Sequence, residues 1–298
     1  MTAQPDPRHL MQPGNNGPHN CFDTQALAAI AAAYPNSHAT FDHGFAGHPL
    51  LALDALALLG EALGDDHVEY NRSDIGIGTG PDDAPSNGLG IGDTIRMIAA
   101  NRSWAVLKNI EIIPAYRDLL HSLLGELKAI VEPRTGPMLT LQGFIFVSSP
   151  HSVTPYHFDP EHNILLNLVG TKAMHAFPAG DARFAPQMDH ERYHTGGHRN
   201  LPWDDDMLGQ EYLAELSPGR AVLMPVMSPH FVTVGADPAI SLSITWRSDW
   251  SYREAEAHAA NRWLRARGFS PSMPPRWPQH ARLRSLGWRV ARKLGLAA

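Results

Sequence analysis

The sequence predicts a mainly β core with flanking helices, a small barrel or sandwich set between helical segments. Three observations lead there. From Met138 onward the chain breaks into short β-type runs separated by turn residues: Leu139 to Val147, Asn163 to Leu168, Thr171 to Phe177, Ala221 to Met224, Phe231 to Val234 and Ile240 to Trp246. Before residue 135 the apolar residues recur instead at the three-and-four spacing of amphipathic helices. After Trp250 the helical spacing returns in 253–268 and 280–296, on either side of the Pro-rich stretch Pro271 to Pro278.

Residues 1–20 are rich in Pro, Asn, Gln and Gly and lack the basic start and apolar stretch of a signal peptide, so they read as a disordered lead-in. The region 21–135 reads as a helical unit packing on the barrel. Asp23 is placed to cap an Ala-rich helix ending near Pro35, and Pro49 opens a second with Leu50, Leu53, Leu56, Ala57 and Leu63 along one side. Gly76 to Gly92 is dense in Gly, Pro, Asp and Ser and reads as a long loop; its glycines follow no strand, so they are not a nucleotide-binding turn. Asp93 then caps a helix through Ala100, and Ala105 to Lys108 makes a short strand. Pro114 to Val131 is helical, with Leu119, Leu120, Leu123, Leu124 and Leu127 on one side. The β core is assigned to 136–250 and the C-terminal helical extension to 251–298. Within the core, 178–218 is polar and too long for a plain turn, which marks it as an insert or lid.

At 298 residues, with 43% hydrophobic and 18% charged, the composition is that of a soluble globular protein, and no apolar run reaches the roughly 18 residues of a membrane span. The single cysteine, Cys21, forms no internal disulfide and no thiolate cluster, which suits the cytoplasm. Residues 250–298 carry ten Arg or Lys against two Glu, leaving a tail of about +8 on a remainder of about −14. Such a tail can meet nucleic acid or anionic lipid, but on a helical extension it reads first as a solvated face, so nucleic acid is the less favoured partner.

A bare His-x-Asp arises about once by chance in a chain of this His and Asp content, so His157-Phe158-Asp159 needs context to count. It has that context: the triplet follows a strand-like run and a Ser-Pro-rich loop, and directly precedes the next strand. Residues two apart in an extended segment share a face, so His157 and Asp159 can offer an imidazole and a carboxylate to one metal ion. His230 is the best third ligand, 71 residues downstream, opening a strand after Pro225 ends the previous one. His43, His48, His67, His162, His175, His190, His194 and His198 are rivals without that strand context. Two His and one carboxylate leave the opposite side of Fe(II) open to a co-substrate and oxygen.

The hairpin that follows adds a second signal. If Val169 and Gly170 form a two-residue turn, Asn167 pairs with Lys172, Leu165 with Met174 and Asn163 with Ala176, so Asn163, Asn167 and Lys172 share a side. Should that side hold the metal, Lys172 is buried and needs a negative partner, which a dicarboxylate co-substrate supplies. Should Ile164, Leu166 and Leu168 face the interior instead, Lys172 turns to solvent.

The run Thr154-Pro155-Tyr156-His157-Phe158-Asp159-Pro160-Glu161-His162-Asn163, continued to Gly170-Thr171-Lys172, resembles the jumonji C (JmjC) branch of the Fe(II)- and 2-oxoglutarate-dependent oxygenases. It is similar to the bacterial cupin-like members and to the asparaginyl hydroxylase that inhibits hypoxia-inducible factor, over about residues 140–248. The resemblance implies a double-stranded β-helix, the cupin or jelly-roll core, with iron held by His157, Asp159 and His230. It also implies that Lys172, helped by the Thr154 hydroxyl, pairs with the distal carboxylate of 2-oxoglutarate, and that Asn163 contacts the end chelating the iron. Thr245 stands where the asparaginyl hydroxylase carries an amide side chain at the co-substrate. The segment His194 to Pro202 is also similar to the bacterial group.

The implied reaction is oxidative decarboxylation of 2-oxoglutarate by O2 to succinate and CO2, coupled to hydroxylation of a protein side chain or small molecule. Demethylation is less favoured, since the chain has neither the room nor the cysteines for reader or zinc modules. Two alternatives stay open: a cupin ligand-binding or regulatory module without turnover, and a Zn or Mn cupin enzyme that does not use 2-oxoglutarate. The apolar residues Trp263, Leu264, Leu283, Leu286, Trp288, Val290 and Leu294 of the tail point to a homodimer through the C-terminal helices.

Overall fold

The computed structural model describes residues 20–79 and 85–297. Apart from Asn20, the expected disordered lead-in lies outside the described residues, as does Gly80 of the glycine-rich loop. The first helix, α1 (Thr24–Ala33), is capped as expected, the Asp23 carboxylate accepting from the Ala26 amide at 2.7 Å. It is followed by β1 (Ala39–Asp42), a 3-10 turn at Pro49–Leu51, α2 (Leu53–Leu63), β2 (Val68–Arg72), α3 (Ile91–Arg96), β3 (Ser103–Lys108) and α4 (Pro114–Thr135). Asp93 does not cap α3: the helix starts two residues before it, after Gly90, and Asp93 lies in its first turn. In α4 Pro114 sits at the first turn, where no amide partner is lost, and Tyr116, Leu120, Leu123, Leu124, Leu127 and Val131 form the buried stripe.

The region before residue 135 is therefore not simply helical. It contributes three strands, of which β1 and β2 are short and largely polar on one side, too weakly patterned to read as strands from sequence.

The core strands are β4 (Leu139–Ser148), β5 (Val153–His157), β6 (His162–Val169) and β7 (Lys172–Ala176). After α5 (Gln187–Tyr193) come β8 (Tyr212–Leu216), β9 (Arg220–Met224), β10 (His230–Val234) and β11 (Ala239–Arg247), then α6 (Asp249–Arg265) and α7 (Arg282–Lys293). Among the described residues one sheet has the order β1-β9-β6-β11-β4-β3-β2 and the other β5-β10-β7-β8. Every pairing is antiparallel. The four strands β9-β6-β11-β4 face β5-β10-β7-β8, and the chain shuttles between the two. This is the double-stranded β-helix. Strand β1 covers the β9 edge while β3 and β2 extend β4, so the N-terminal region closes both edges of the larger sheet. The insert 178–218 is less of an insert than expected, because it contains β8, a strand of the barrel itself.

The expected β6–β7 hairpin does not form. Strand β6 pairs with β9 and β11 while β7 pairs with β10 and β8, so Val169-Gly170 is a corner between sheets rather than a turn within one. Gly170 takes φ +66°, and a Cβ there would fall 2.2 Å from the Pro238 carbonyl oxygen, so both the left-handed backbone and the close approach need glycine. The Asn167 amide donates to the Gly170 and Leu216 carbonyls at 2.8 and 3.1 Å and holds the corner.

Both faces of β6 are buried, which is why its sequence reads as one apolar run. Ile164, Leu166 and Leu168 join Ile240, Leu242, Ile244 and Trp246 of β11 in a core packed under the N-terminal helices. Their alternates, Asn163, Leu165 and Asn167, with Ser241, Ser243 and Thr245, turn into the barrel. The two stripes weighed from sequence thus both serve as cores, one outside the barrel and one inside it.

Candidate metal centre

Three side chains converge inside the barrel. His157 ends β5 and His230 opens β10, and the ladder places them directly opposite one another. Asp159 follows two residues after His157 on the same side. One Asp159 oxygen, Oδ2, lies 3.6 Å from His157 Nε2 and 3.7 Å from His230 Nε2, and the three donor atoms lie within 4.8 Å of one another. An ion about 2 Å from each donor spans such a set.

Each imidazole is oriented by its other nitrogen: His157 Nδ1 is 2.7 Å from the Pro155 carbonyl and His230 Nδ1 is 2.9 Å from the Ser228 carbonyl. An Nδ1–H donated to a carbonyl leaves the Nε2 lone pair for a metal, the outer-sphere arrangement of ligating histidines. Burial, then the neighbouring His157, brings the His230 pKa down to about 3, so it is neutral. Burial alone would raise the Asp159 carboxyl, but His157, Arg199 and His230 around it hold it well below the usual carboxylate range. The Asp159 backbone carbonyl accepts from the amide of Met227, a residue held at φ 58°, which ties the loop before β10 to the ligand segment.

The cavity beside these donors is lined by Thr154, Asn163, Lys172, Ser241, Phe146, Trp104 and Glu69, among others. Lys172 is only 6% exposed, and among the described residues it makes no ion pair. Its ammonium donates to Ser241 Oγ at 2.8 Å, and burial draws its pKa down to about 7. The Asn163 carbonyl oxygen accepts from Ser243 Oγ at 2.6 Å, which leaves the amide NH2 to the cavity. Thr245 is not among the residues lining that cavity: its hydroxyl donates to the Gln142 carbonyl at 3.0 Å.

Among the wall residues that sequence reasoning missed are Ser241, Phe146, and Trp104 and Glu69 on the two strands added beyond β4. It also gave no role to Arg199, whose Nη1 lies 3.0 Å from Asp159 Oδ1. The only signal for Arg199 was its place in the segment His194 to Pro202.

The rival histidines do other work. The ring of His43 meets the Asn167 carbonyl, His48 caps the 3-10 turn, His67 pairs with Asn109 and His175 stacks on Phe231. His198 lines the cavity without joining the donor set. His162 is buried 2.9 Å from Ser248 Oγ and stacks on Trp246. His190 of α5 stacks on Phe158 and on His258 of α6, which in turn stacks on His194, with ring centroids 5.0, 4.9 and 5.4 Å apart.

That column sets an acid limit on stability. Burial, then Arg276, lowers His190 to about 4; burial, then Arg247 and His190, lowers His194 to about 3; and burial, then the neighbouring His190 and His194, holds His258 well below its ordinary value. Unfolded histidines take up a proton near pH 6.5, so between about 6.5 and 4 the unfolded state binds more protons and stability falls as pH falls. Each group contributes up to about 1.4 kcal/mol per pH unit in that window. Thermal melting should show a steep drop between pH 6.5 and 4.5, made shallower in His258→Phe; a flat profile would count against the column.

No protein-family model matches the chain, and no curated protein matches it in sequence. Solved structures do. An X-ray structure of Escherichia coli YcfD aligns over 90% of this chain and 67% of that one, with a TM-score of 0.49 and 14% identity. A structure of YcfD, described as a ribosomal oxygenase from Escherichia coli in complex with cobalt and 2-oxoglutarate, aligns over 92% and 67%, with a TM-score of 0.49 and 16% identity. A third, with cobalt and succinic acid, aligns over 92% and 67%, with a TM-score of 0.47 and 14% identity. The chain spans about two thirds of the length of these structures' chains.

Proposed function

We propose that this chain is an Fe(II)- and 2-oxoglutarate-dependent oxygenase that hydroxylates a protein side chain or a small molecule. The observation that carries the reading is the uncompensated Lys172 ammonium, buried in the same cavity as an open His157, Asp159 and His230 donor set. A buried cation without an anionic partner is costly, and a dicarboxylate that also reaches the metal relieves the cost. Two imidazoles and a carboxylate fit Fe(II) with positions to spare. When bound, the iron and 2-oxoglutarate supply the oxidation of a C–H bond with release of succinate and CO2.

The chain's own residues bind and orient. The Pro155 and Ser228 carbonyls fix the two Nε2 donors, Lys172 with Ser241 anchors the distal carboxylate, and Thr154 and the Asn163 amide face the co-substrate. A ligand-binding module without turnover leaves the open metal face without a task. Addition of 2-oxoglutarate to the anaerobic Fe(II)-loaded protein should produce a visible absorbance band absent with either component alone; no band and no binding would end the proposal.

Among the described residues no helix is long and apolar enough to cross a membrane. A reducing cytoplasm suits Fe(II) and the buried free thiol of Cys21. Nucleic acid is not favoured, because Arg265, Arg276 and Arg289 are engaged by Glu191, Glu254 and Glu256.

We further propose a homodimer through α7. Ser285, Trp288 and Ala291 face α6, yet Leu283, Leu286, Val290 and Leu294 on the opposite side are 86, 60, 49 and 67% exposed. Packing on α6 accounts for the first face only, and a single stripe of this kind is self-complementary about a two-fold axis. Removing everything after Asp249 is a poor test, since Trp250 and Glu254 of α6 are core residues. Leu286→Glu with Val290→Glu should halve the mass seen by light scattering from about twice 32.7 kDa; a wild-type monomer defeats the dimer.

A further inference from the structure

We propose that Arg199 is a positioning residue that occupies one oxygen of Asp159, so that a single oxygen is left to the metal and the adjoining coordination positions stay open for the co-substrate. This rests on the oxygenase reading above. The two Asp159 oxygens have different surroundings: Oδ2 faces both imidazole Nε2 atoms at 3.6 and 3.7 Å, while Oδ1 accepts from Arg199 Nη1 at 3.0 Å. A carboxylate with both oxygens free binds a divalent ion through one or both. The second oxygen would claim a position on the face that 2-oxoglutarate and oxygen must share.

The backbone around Arg199 is built for this placement. Leu201 donates to the Tyr156 carbonyl at 2.9 Å, the Phe158 amide reaches the Arg199 carbonyl at 3.4 Å, and Asn200 bridges to His157. The segment is thus joined by a single antiparallel bridge to the ligand-bearing end of β5. Asn200 also donates its side-chain amide to the Thr79 carbonyl at 3.1 Å. On its other side the segment closes tightly on the end of α5: a Cβ at Gly197 would fall 2.6 Å from Arg192 Cγ and 2.9 Å from the Arg192 carbonyl oxygen. This explains the glycine there and fixes where Arg199 leaves the turn. The Arg199 side chain is 48% exposed, and ion pairs that open to solvent add little to stability, so its effect falls on the geometry of Asp159 rather than on the fold.

The test uses the full-length protein with Mn(II) as the probe metal, in the absence of turnover. Arg199→Met keeps the stem and removes the donors, while Arg199→Lys keeps one donor. Calorimetry should find Mn(II) bound by the Met variant at least as tightly as by wild type. Its 2-oxoglutarate Kd on the Mn(II)-loaded protein should rise about tenfold or more, and the Lys variant should recover most of that loss. An unchanged 2-oxoglutarate Kd in Arg199→Met overturns the inference. So does loss of Mn(II) binding, which would make Arg199 a structural support of the site. A wild-type Mn(II) protein that binds no 2-oxoglutarate instead removes the oxygenase reading on which the inference stands.

Discussion

Replacing Asp159 by alanine is expected to remove metal binding and 2-oxoglutarate turnover together. Asp159 is the one anionic donor of the set, and its Oδ2 is the atom that both imidazoles face. Without it two imidazole nitrogens are left, opposite a guanidinium that has lost its counter-charge. The loss in metal affinity should reach about 100-fold or more, at the upper end of what even outer-sphere changes produce. Calorimetry with Mn(II) measures the first quantity and succinate formation with Fe(II) and ascorbate the second. His175→Ala is the control: this residue lies on the outer side of β7 against Phe231 and Glu211, so its loss lowers the melting temperature and leaves metal affinity unchanged. Wild-type turnover in Asp159→Ala would sink the assignment of the metal centre.

Lys172→Met should separate co-substrate binding from metal binding. Removing one partner of a buried ion pair costs about 3–5 kcal/mol, so the Michaelis constant for 2-oxoglutarate should rise by about 100-fold or more while Mn(II) affinity stays within about threefold. The variant also carries an effect of opposite sign. In the ligand-free protein the Lys172 ammonium is buried without an acidic partner and its pKa is drawn down to about 7, far below that of an unfolded lysine. Between about pH 7 and 10.4 the unfolded state therefore binds more protons at this group, and ligand-free stability rises with pH across that window. Lys172→Met should accordingly melt higher than wild type at pH 7 without ligand, and lose the stabilisation that 2-oxoglutarate confers on wild type. A variant that binds 2-oxoglutarate as wild type does would show that the co-substrate charge is met elsewhere, with Arg199, which also lines the cavity, the next candidate.

The chain by itself determined what depends on near neighbours. The spacing of Tyr116, Leu120, Leu123 and Leu127 specifies α4, Asp23 caps α1, and the two-residue alternation of His157 and Asp159 sets two donors on one side of a strand. The position of His230 at the start of a strand marked it as the third candidate donor, and the ladder sets it opposite His157. Tertiary structure decided what depends on partners far along the chain. Sheet membership sent β6 and β7 into opposite sheets and made Gly170 a corner, an outcome set by the pairing of β6 with β9 and β11 rather than by the turn residues. Strands β1, β2 and β8 exist because an open edge was available to them, not because their sequences alternate strongly. Thr245 shares a face with Ser241 and Ser243, but only its position along β11 decided that it meets the Gln142 carbonyl and not the cavity. The meeting of Arg199 with Asp159, forty residues apart, follows from a single backbone bridge to β5 that leaves no periodic trace in the sequence, because backbone hydrogen bonds specify register without specifying side chains.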